Sequence, residues 1–190
     1  MRNKWLTLSL VFVLGASPAL ADDFAKFQED SRNIVKEMVS QLGNALHKEM
    51  TANGPAAAIK VCKDLAPAIT SDLSRKTGQR VTRVSLKTRN PLLGSPDAWE
   101  QKVLAVFALR LEKENPANIE FAEIVTEPQG KFMRYMKAIP MQEVCLKCHG
   151  SLETISPQVK EQLNAEYPHD KATGYTINQI RGAFSIKKAL

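Results

Sequence analysis

The chain has 190 residues, 44% of them hydrophobic, and its 26 Lys and Arg against 20 Asp and Glu give a formal charge of +6. That is enough chain for one domain with a real core. The basic excess is modest, and no stripe of Lys and Arg interleaved with aromatics occurs, which argues against nucleic acid as a partner.

The N-terminus has the three parts of a secretory signal peptide. Arg2 and Lys4 form a basic n-region, Leu6 to Gly15 an apolar run, and Ala19-Leu20-Ala21 a small-x-small cleavage site before Asp22 and Asp23. The apolar run falls short of the roughly 20 residues that span a bilayer, which counts against an uncleaved anchor. No cysteine stands near the cleavage point to carry a lipid. Removing 21 of 190 residues leaves 169 and takes away two basic charges, so the formal charge falls to +4. The expectation is a signal peptide over residues 1–21 and one periplasmic domain over 22–190, with no stable membrane insertion of the mature chain.

From Asp23 to Met50 the apolar residues Phe24, Phe27, Ile34, Met38, Leu42, Ala45 and Leu46 recur mostly at three- and four-residue steps. This spacing predicts a long amphipathic helix, capped by Asp22 and Asp23. Asn53-Gly54 ends it, and Pro55 suits the first turn of a second helix carrying Ala58, Ile59, Cys62, Leu65, Ala66 and Ile69 on one face. Pro67 is expected to kink or divide that helix one turn past Cys62.

The texture then changes. RVTRVSLK, residues 80–87, alternates and is β-branched, which predicts a strand. RNPLLGSP reads as a loop, and Ser95-Pro96 as the opening of a helix that runs to Glu114. IEFAEIVTE, the turn Pro128-Gln129-Gly130 and KFMRYMKAI predict a β-hairpin closed by Pro140. Beyond residue 150, Ser156-Pro157 starts a short helix, YPHDKATGY is a polar loop, and RGAFSIK is a last strand. Helices first and antiparallel strands later give an α+β domain with a sheet of four or five strands and a long N-terminal helix.

Residues 145–150 read CLKCHG. In Cys-x-x-Cys-His two thiols one helical turn apart can form thioethers with the two vinyl groups of a haem, and the next residue, His149, is carried under the iron. One motif predicts one covalent haem c. Two other readings use the same residues: zinc held by Cys145, Cys148, His149 and Cys62, or a plain Cys145–Cys148 disulfide. Cys62 is the cysteine left over, and a spare thiol in an oxidising compartment needs a reason to exist.

The other face of the iron has several candidates. No methionine follows Met141, so the arrangement of an ordinary small cytochrome c is not available. Met38, Met50, Met133, Met136 and Met141 read as core packing, and His47 as a solvated helix residue. His169 lies in a loop that could fold over the haem. Cys62 is either a small buried hydrophobe or a thiolate ligand. For the propionates the candidates are Arg89, Asn90, Lys171 and Arg181, since a guanidinium fork suits a carboxylate. Taken singly, each of the four reads more readily as a solvated surface group.

The segments AAAIKVCKDLAP, RVSLKTRNPLLGSPDAWE, CLKCHG and YPHDKATGYTINQIRGAFSI occur in that order. Together they resemble the PAS-like, single-haem c-type domain family, which includes soluble cyanobacterial proteins and the extracytoplasmic sensor region of some bacterial histidine kinases and chemoreceptors. The resemblance covers nearly all of the mature chain. It implies a PAS-like antiparallel sheet flanked by helices. It also implies His149 as one axial ligand and Cys62, in AIKVC, as the other. Unlike the kinase members, this sequence shows no second transmembrane helix and no output domain.

Function is expected to be binding rather than catalysis. The first reading is a periplasmic haem c protein that senses redox state or a small ligand such as a gas. The alternative is an electron-transfer cytochrome that serves a redox protein or a small-molecule redox partner. A single motif excludes a di-haem peroxidase, and no general acid or base is placed beside it, so an enzyme is not expected. The loop and strand after the motif exclude the four-helix cytochrome c′ fold. Reduction is expected to weaken a bond between Cys62 and iron, because ferric haem attracts a thiolate more strongly than ferrous.

Overall fold

The computed structural model describes residues 18–190. The n-region and apolar run of the expected signal peptide lie outside the described residues. Helix α1 (Pro18–Lys60) runs straight through Asp22 and Asp23 instead of being capped by them. Pro18 suits a first helical position, and Ala19, Leu20 and Ala21 are good helix formers, so nothing stops the helix at the aspartates. Phe27, Ser31, Ile34, Met38 and Leu42 form its buried stripe. Gly54, at φ 83° and ψ 173°, breaks the helical path, and Pro55 restarts it. A side chain would be strained there, which is why the break falls on a glycine. Among the described residues no helix is long and apolar enough to cross a membrane.

The division expected at Pro67 takes a specific form. Residues Val61–Leu65 make one π-helical turn, closed by the Ala66 N–H donating to the Val61 carbonyl five residues back. Pro67 has no N–H for the Lys63 carbonyl, and its ring crowds that turn, so the backbone widens just before it. Cys62 is the second residue of the widened turn. Helix α2 (Ala66–Thr77) then leads into β1 (Arg80–Val84).

After β1 the segment read as a loop contains a short helical turn, α3 (Pro91–Gly94), which Asn90 caps by accepting from the Leu92 N–H. Helix α4 (Ala98–Arg110) starts later than Ser95-Pro96 and stops short of Glu114. Asp97 and Glu100 form a reciprocal capping box that fixes its start. Strands β2 (Glu120–Glu127) and β3 (Gly130–Pro140) form the expected hairpin, with Glu127 opposite Gly130. A 3-10 turn (Glu143–Cys145), the single helical turn α5 (Leu146–His149) and α6 (Pro157–Glu166) follow. Strand β4 (Ile180–Ala189) ends the chain's ordered elements.

The four strands form one antiparallel sheet in the order β1-β4-β3-β2. Helices cover both faces. On one, α1 and α2 bury Phe27, Met38, Ile69 and Leu73 against Val81, Met133, Tyr135, Phe184 and Ile186. On the other, α4 buries Val103, Leu104 and Phe107 against Val84, Met136, Ala138 and Ala183. The α4 face also holds a buried charge network. The Arg134 guanidinium lies 2.7 Å from Asp97, 2.9 Å from Glu127 and 3.3 Å from Glu100, under the Trp99 ring at 4.2 Å. The cap of α4 is thus tied to the middle of the sheet.

Candidate functional site

The sheet delivers the CLKCHG segment. The register of β3 against β4 shifts between Ile139 and Pro140, where a residue without an N–H ends the ladder. The chain leaves the sheet there, and α5 forms within five residues. Cys145 and Cys148 are separated by that one helical turn, and all three cysteines are free thiols, so no disulfide joins Cys145 to Cys148. Gly150 ends the turn where a Cβ would stand 2.6 Å from the Leu146 carbonyl oxygen; a larger residue would force the motif open.

The two motif cysteines face different apolar groups. Cys148 packs with Ile59, Ile155, Val159, Leu163 and Tyr167, contributed by α1, α6 and their flanks. Cys145 and Leu146 pack with Met141, Ala172 and Tyr175. A flat apolar ring attached to both sulfurs would meet apolar side chains on either side. Burial pushes the Cys148 thiol above its ordinary value.

His149 is held by the loop that follows α6. Its Nδ1 lies 2.6 Å from the Ala172 carbonyl oxygen, and Tyr175 packs edge-on to its ring at 6.3 Å. The Tyr175 N–H donates to the His149 carbonyl and the Gly174 N–H to that of Gly150. Arg181 Nε is also near Nδ1, at 3.2 Å. The two contacts demand opposite tautomers, since a carbonyl needs a donor and a guanidinium needs an acceptor. The shorter contact to a carbonyl fixes Nδ1 as the protonated nitrogen, which leaves Nε2 as the lone-pair donor for a metal. Burial, with the charges of Arg89 and Arg181, holds the imidazole well below its usual range and therefore neutral, the form that ligates metals.

The arginines expected near a haem are both at the site, but much of their donor capacity is already used. Arg89 bonds Asp170 at 3.0 Å and donates to the Cys148 carbonyl at 2.6 Å and the Ala172 carbonyl at 3.3 Å. It ties the motif to the loop that holds His149. Arg181 donates through Nη1 to the Lys87 carbonyl at 3.0 Å. Asn90 is occupied as the cap of α3. Lys171 is exposed, and only its backbone N–H is fixed, to the Thr88 carbonyl. His169 and His47 are both exposed, one in a turn and the other on α1. Met38, Met133, Met136 and Met141 are all buried.

Cys62 belongs to the same neighbourhood. Burial raises its thiol, while the charges of Arg83, Arg89 and Arg181 pull the other way and Cys145 adds to the rise. Among the described residues no three His, Cys, Asp or Glu side chains come together as a ready metal set. The zinc cage of Cys145, Cys148, His149 and Cys62 is therefore not assembled here. Three contributors escaped the sequence reading: the Ala172 carbonyl, Asp170 and Arg83. A backbone carbonyl 23 residues away leaves no mark in a sequence. Arg83 did leave one, because the alternation of RVTRVS puts it on the same strand face as Val81.

A search of curated proteins finds no match to this chain. Among solved structures it is similar to the crystal structure of the cyanobacterial haem protein Tll0287, with a TM-score of 0.65 and 19% sequence identity. The match covers 92% of this chain and 97% of that one, and at this identity it shows a shared fold. A family model described as Tll0287-like matches residues 21–188, and the chain accordingly belongs to the Tll0287-like family.

Proposed function

We propose that this chain is an exported c-type haem protein with one covalent haem, which senses redox state or a small ligand through an axial thiolate. The similar Tll0287 is described as a haem protein. The observation that carries the reading to these residues is the contact of His149 Nδ1 with the Ala172 carbonyl oxygen. The ring Nδ1–H is engaged by Ala172 one residue after two unpaired cysteines spaced by a helical turn. Cys145 and Cys148 would attach the group, His149 would hold one side of the iron, and Cys62 the other. Bound there, the group would supply a reversible one-electron couple and an iron that can exchange a ligand.

The chain's own residues set how that couple behaves. Arg89 and Asp170 fix the 170–175 loop, and the loop fixes the ring of His149. The apolar groups around Cys145 and Cys148 keep water away, which strengthens electrostatic interactions inside the site. Cys62 sits in a π-helical turn, a helix irregularity that can change register, and this favours sensing over plain electron carriage. Export to the periplasm rests on the expected signal peptide, and the partner is a redox protein, a small redox molecule or a gas.

The test is an optical and EPR spectrum of the purified ferric protein, with a haem stain on a denaturing gel. Colour that survives denaturation, with a low-spin sulfur-ligated ferric signal, is the expected result. Colour removed by acid–acetone would rule out the thioethers.

A further inference from the structure

The site holds a third arginine whose charge no described carboxylate neutralises. Arg83 stands on β1, directly across from Phe184 on β4. Strand alternation turns it to the face of Val81, and both Val81 and Phe184 pack against α1 and α2. That face carries the widened turn with Cys62. Arg83 is half-buried, and the groups that act on its charge are Cys62 and Tyr167, neither of them a carboxylate. Burial disfavours its charged form, as it does that of Arg181.

The guanidiniums of Arg83, Arg89 and Arg181 all act on the Cys62 thiol, and among the described residues Asp170 is the one carboxylate that pairs with any of them. Arg89 takes Asp170. Arg181 uses Nη1 on a backbone carbonyl. Among the described residues Arg83 has no hydrogen-bond or ion-pair partner, so its fork is open. An unpaired charge drawn partly out of water is costly to keep, and a planar fork is built for a carboxylate.

We propose that Arg83 is the anion anchor of this site and binds a carboxylate through its guanidinium, the carboxylate being a propionate of the haem. This rests on the haem reading for the propionate as source; a free carboxylate anion is the other source of the same chemistry. Lysine in its place would keep the charge and lose the fork. Arg83 would then work beside Arg181 to offset the two charges that the propionates carry.

The test compares wild type with Arg83→Gln and Arg83→Lys by resonance Raman of the ferric protein, read at the propionate bending mode. The proposal expects that mode to move to lower frequency in R83Q and to return part of the way in R83K. If R83Q does not fold, R83K decides alone, since loss of the fork must still move the mode. A mode unmoved in every folded variant overturns the proposal. So does a change confined to the sulfur-to-iron charge-transfer band, which would make Arg83 a partner of Cys62 instead. A colourless wild type would remove the haem reading and leave the anchor to a second measurement. Saturable thermal stabilisation by sodium propionate, lost in R83Q, would then support it, and no stabilisation of wild type would overturn it.

Discussion

His149 and Ala172 are joined across 23 residues by a 2.6 Å contact between ring Nδ1 and a backbone carbonyl oxygen. A backbone acceptor cannot be mutated away, so its position depends on what pins the loop. Arg89 and Asp170 do this, with side chains only 10% and 11% exposed. Removing one partner of a buried ion pair costs about 3–5 kcal/mol, because the other charge is left unmatched. Arg89→Leu should therefore destabilise the protein by roughly that amount in denaturant unfolding and loosen His149 at the same time. A double-mutant cycle with Asp170→Asn separates the pair from the carbonyl contacts. A loss under about 1 kcal/mol would mean that the pair behaves as a surface salt bridge and does not hold the loop.

Cys62→Ala tests the second axial position. The thiol is lost from a helical turn with little change in volume, so the fold should survive, as far-UV circular dichroism would show. The ferric spectrum should lose its thiolate character, and the reduction potential should rise, because an anionic donor stabilises ferric iron. His169→Ala should leave both unchanged, since His169 is exposed in a turn. Were the two variants to behave the other way round, His169 would be the ligand.

How far the sequence foretold this molecule depends on the range of each signal. The hairpin, the Gly54 break and the Ser156 cap of α6 are local, and each follows from a few adjacent residues. Their residues have no competing option. The start of α1 went differently because Pro18 and the helix formers Ala19 to Ala21 carry the helix past the aspartates, and that of α4 because Ser95 and Asp97 are both cap residues that propensity alone does not rank. The motif CLKCHG was legible because the chemistry itself imposes its spacing. What surrounds it was not. Arg89 is a propionate candidate by residue type alone, and its bond to Asp170, 81 residues on, is an encounter set by tertiary structure. Arg83 shows the opposite case: a charge on the buried face of a strand is a visible conflict, and such conflicts mark sites.

The Arg134 network should make stability fall on acidification. Burial would raise Asp97, but the hydrogen bond from Arg134, the Glu100 N–H and the Arg134 charge bring it below its ordinary 3.8. Lys187 and Arg134 lower Glu127 below its ordinary 4.5. A carboxylate with a depressed folded value adds its full stability above its unfolded value and loses it as pH falls through the folded one. The melting temperature should thus hold steady above 4.5 and drop progressively below it. Arg134→Met should flatten that acid limb, and in denaturant unfolding at neutral pH it should cost about 3–5 kcal/mol, as the buried Glu100 and the more exposed Asp97 and Glu127 lose their partner. An acid limb of unchanged steepness in R134M would place the titrating groups elsewhere.

The last prediction concerns the widened turn at Cys62. The Ala66 N–H reaches back five residues to the Val61 carbonyl, and Pro67 supplies no N–H with which the Lys63 carbonyl could draw the turn into α register. The turn is therefore held open by the lack of a donor, and its register can change without unwinding α1 or α2. Under the proposed function, reduction weakens the hold on the Cys62 thiolate, because the attraction falls with the charge on the iron. A turn free to change register lets the sulfur move aside. Pro67→Ala restores the donor, so it should favour a continuous helix and keep Cys62 in one place. The measurement is carbon monoxide binding to the reduced protein at neutral pH, followed optically. Wild type should form a ferrous–CO spectrum, and P67A should do so several-fold more slowly at equal helix content. Equal rates in the two proteins would remove the hinge, and a wild type indifferent to carbon monoxide would leave the electron carrier as the better reading.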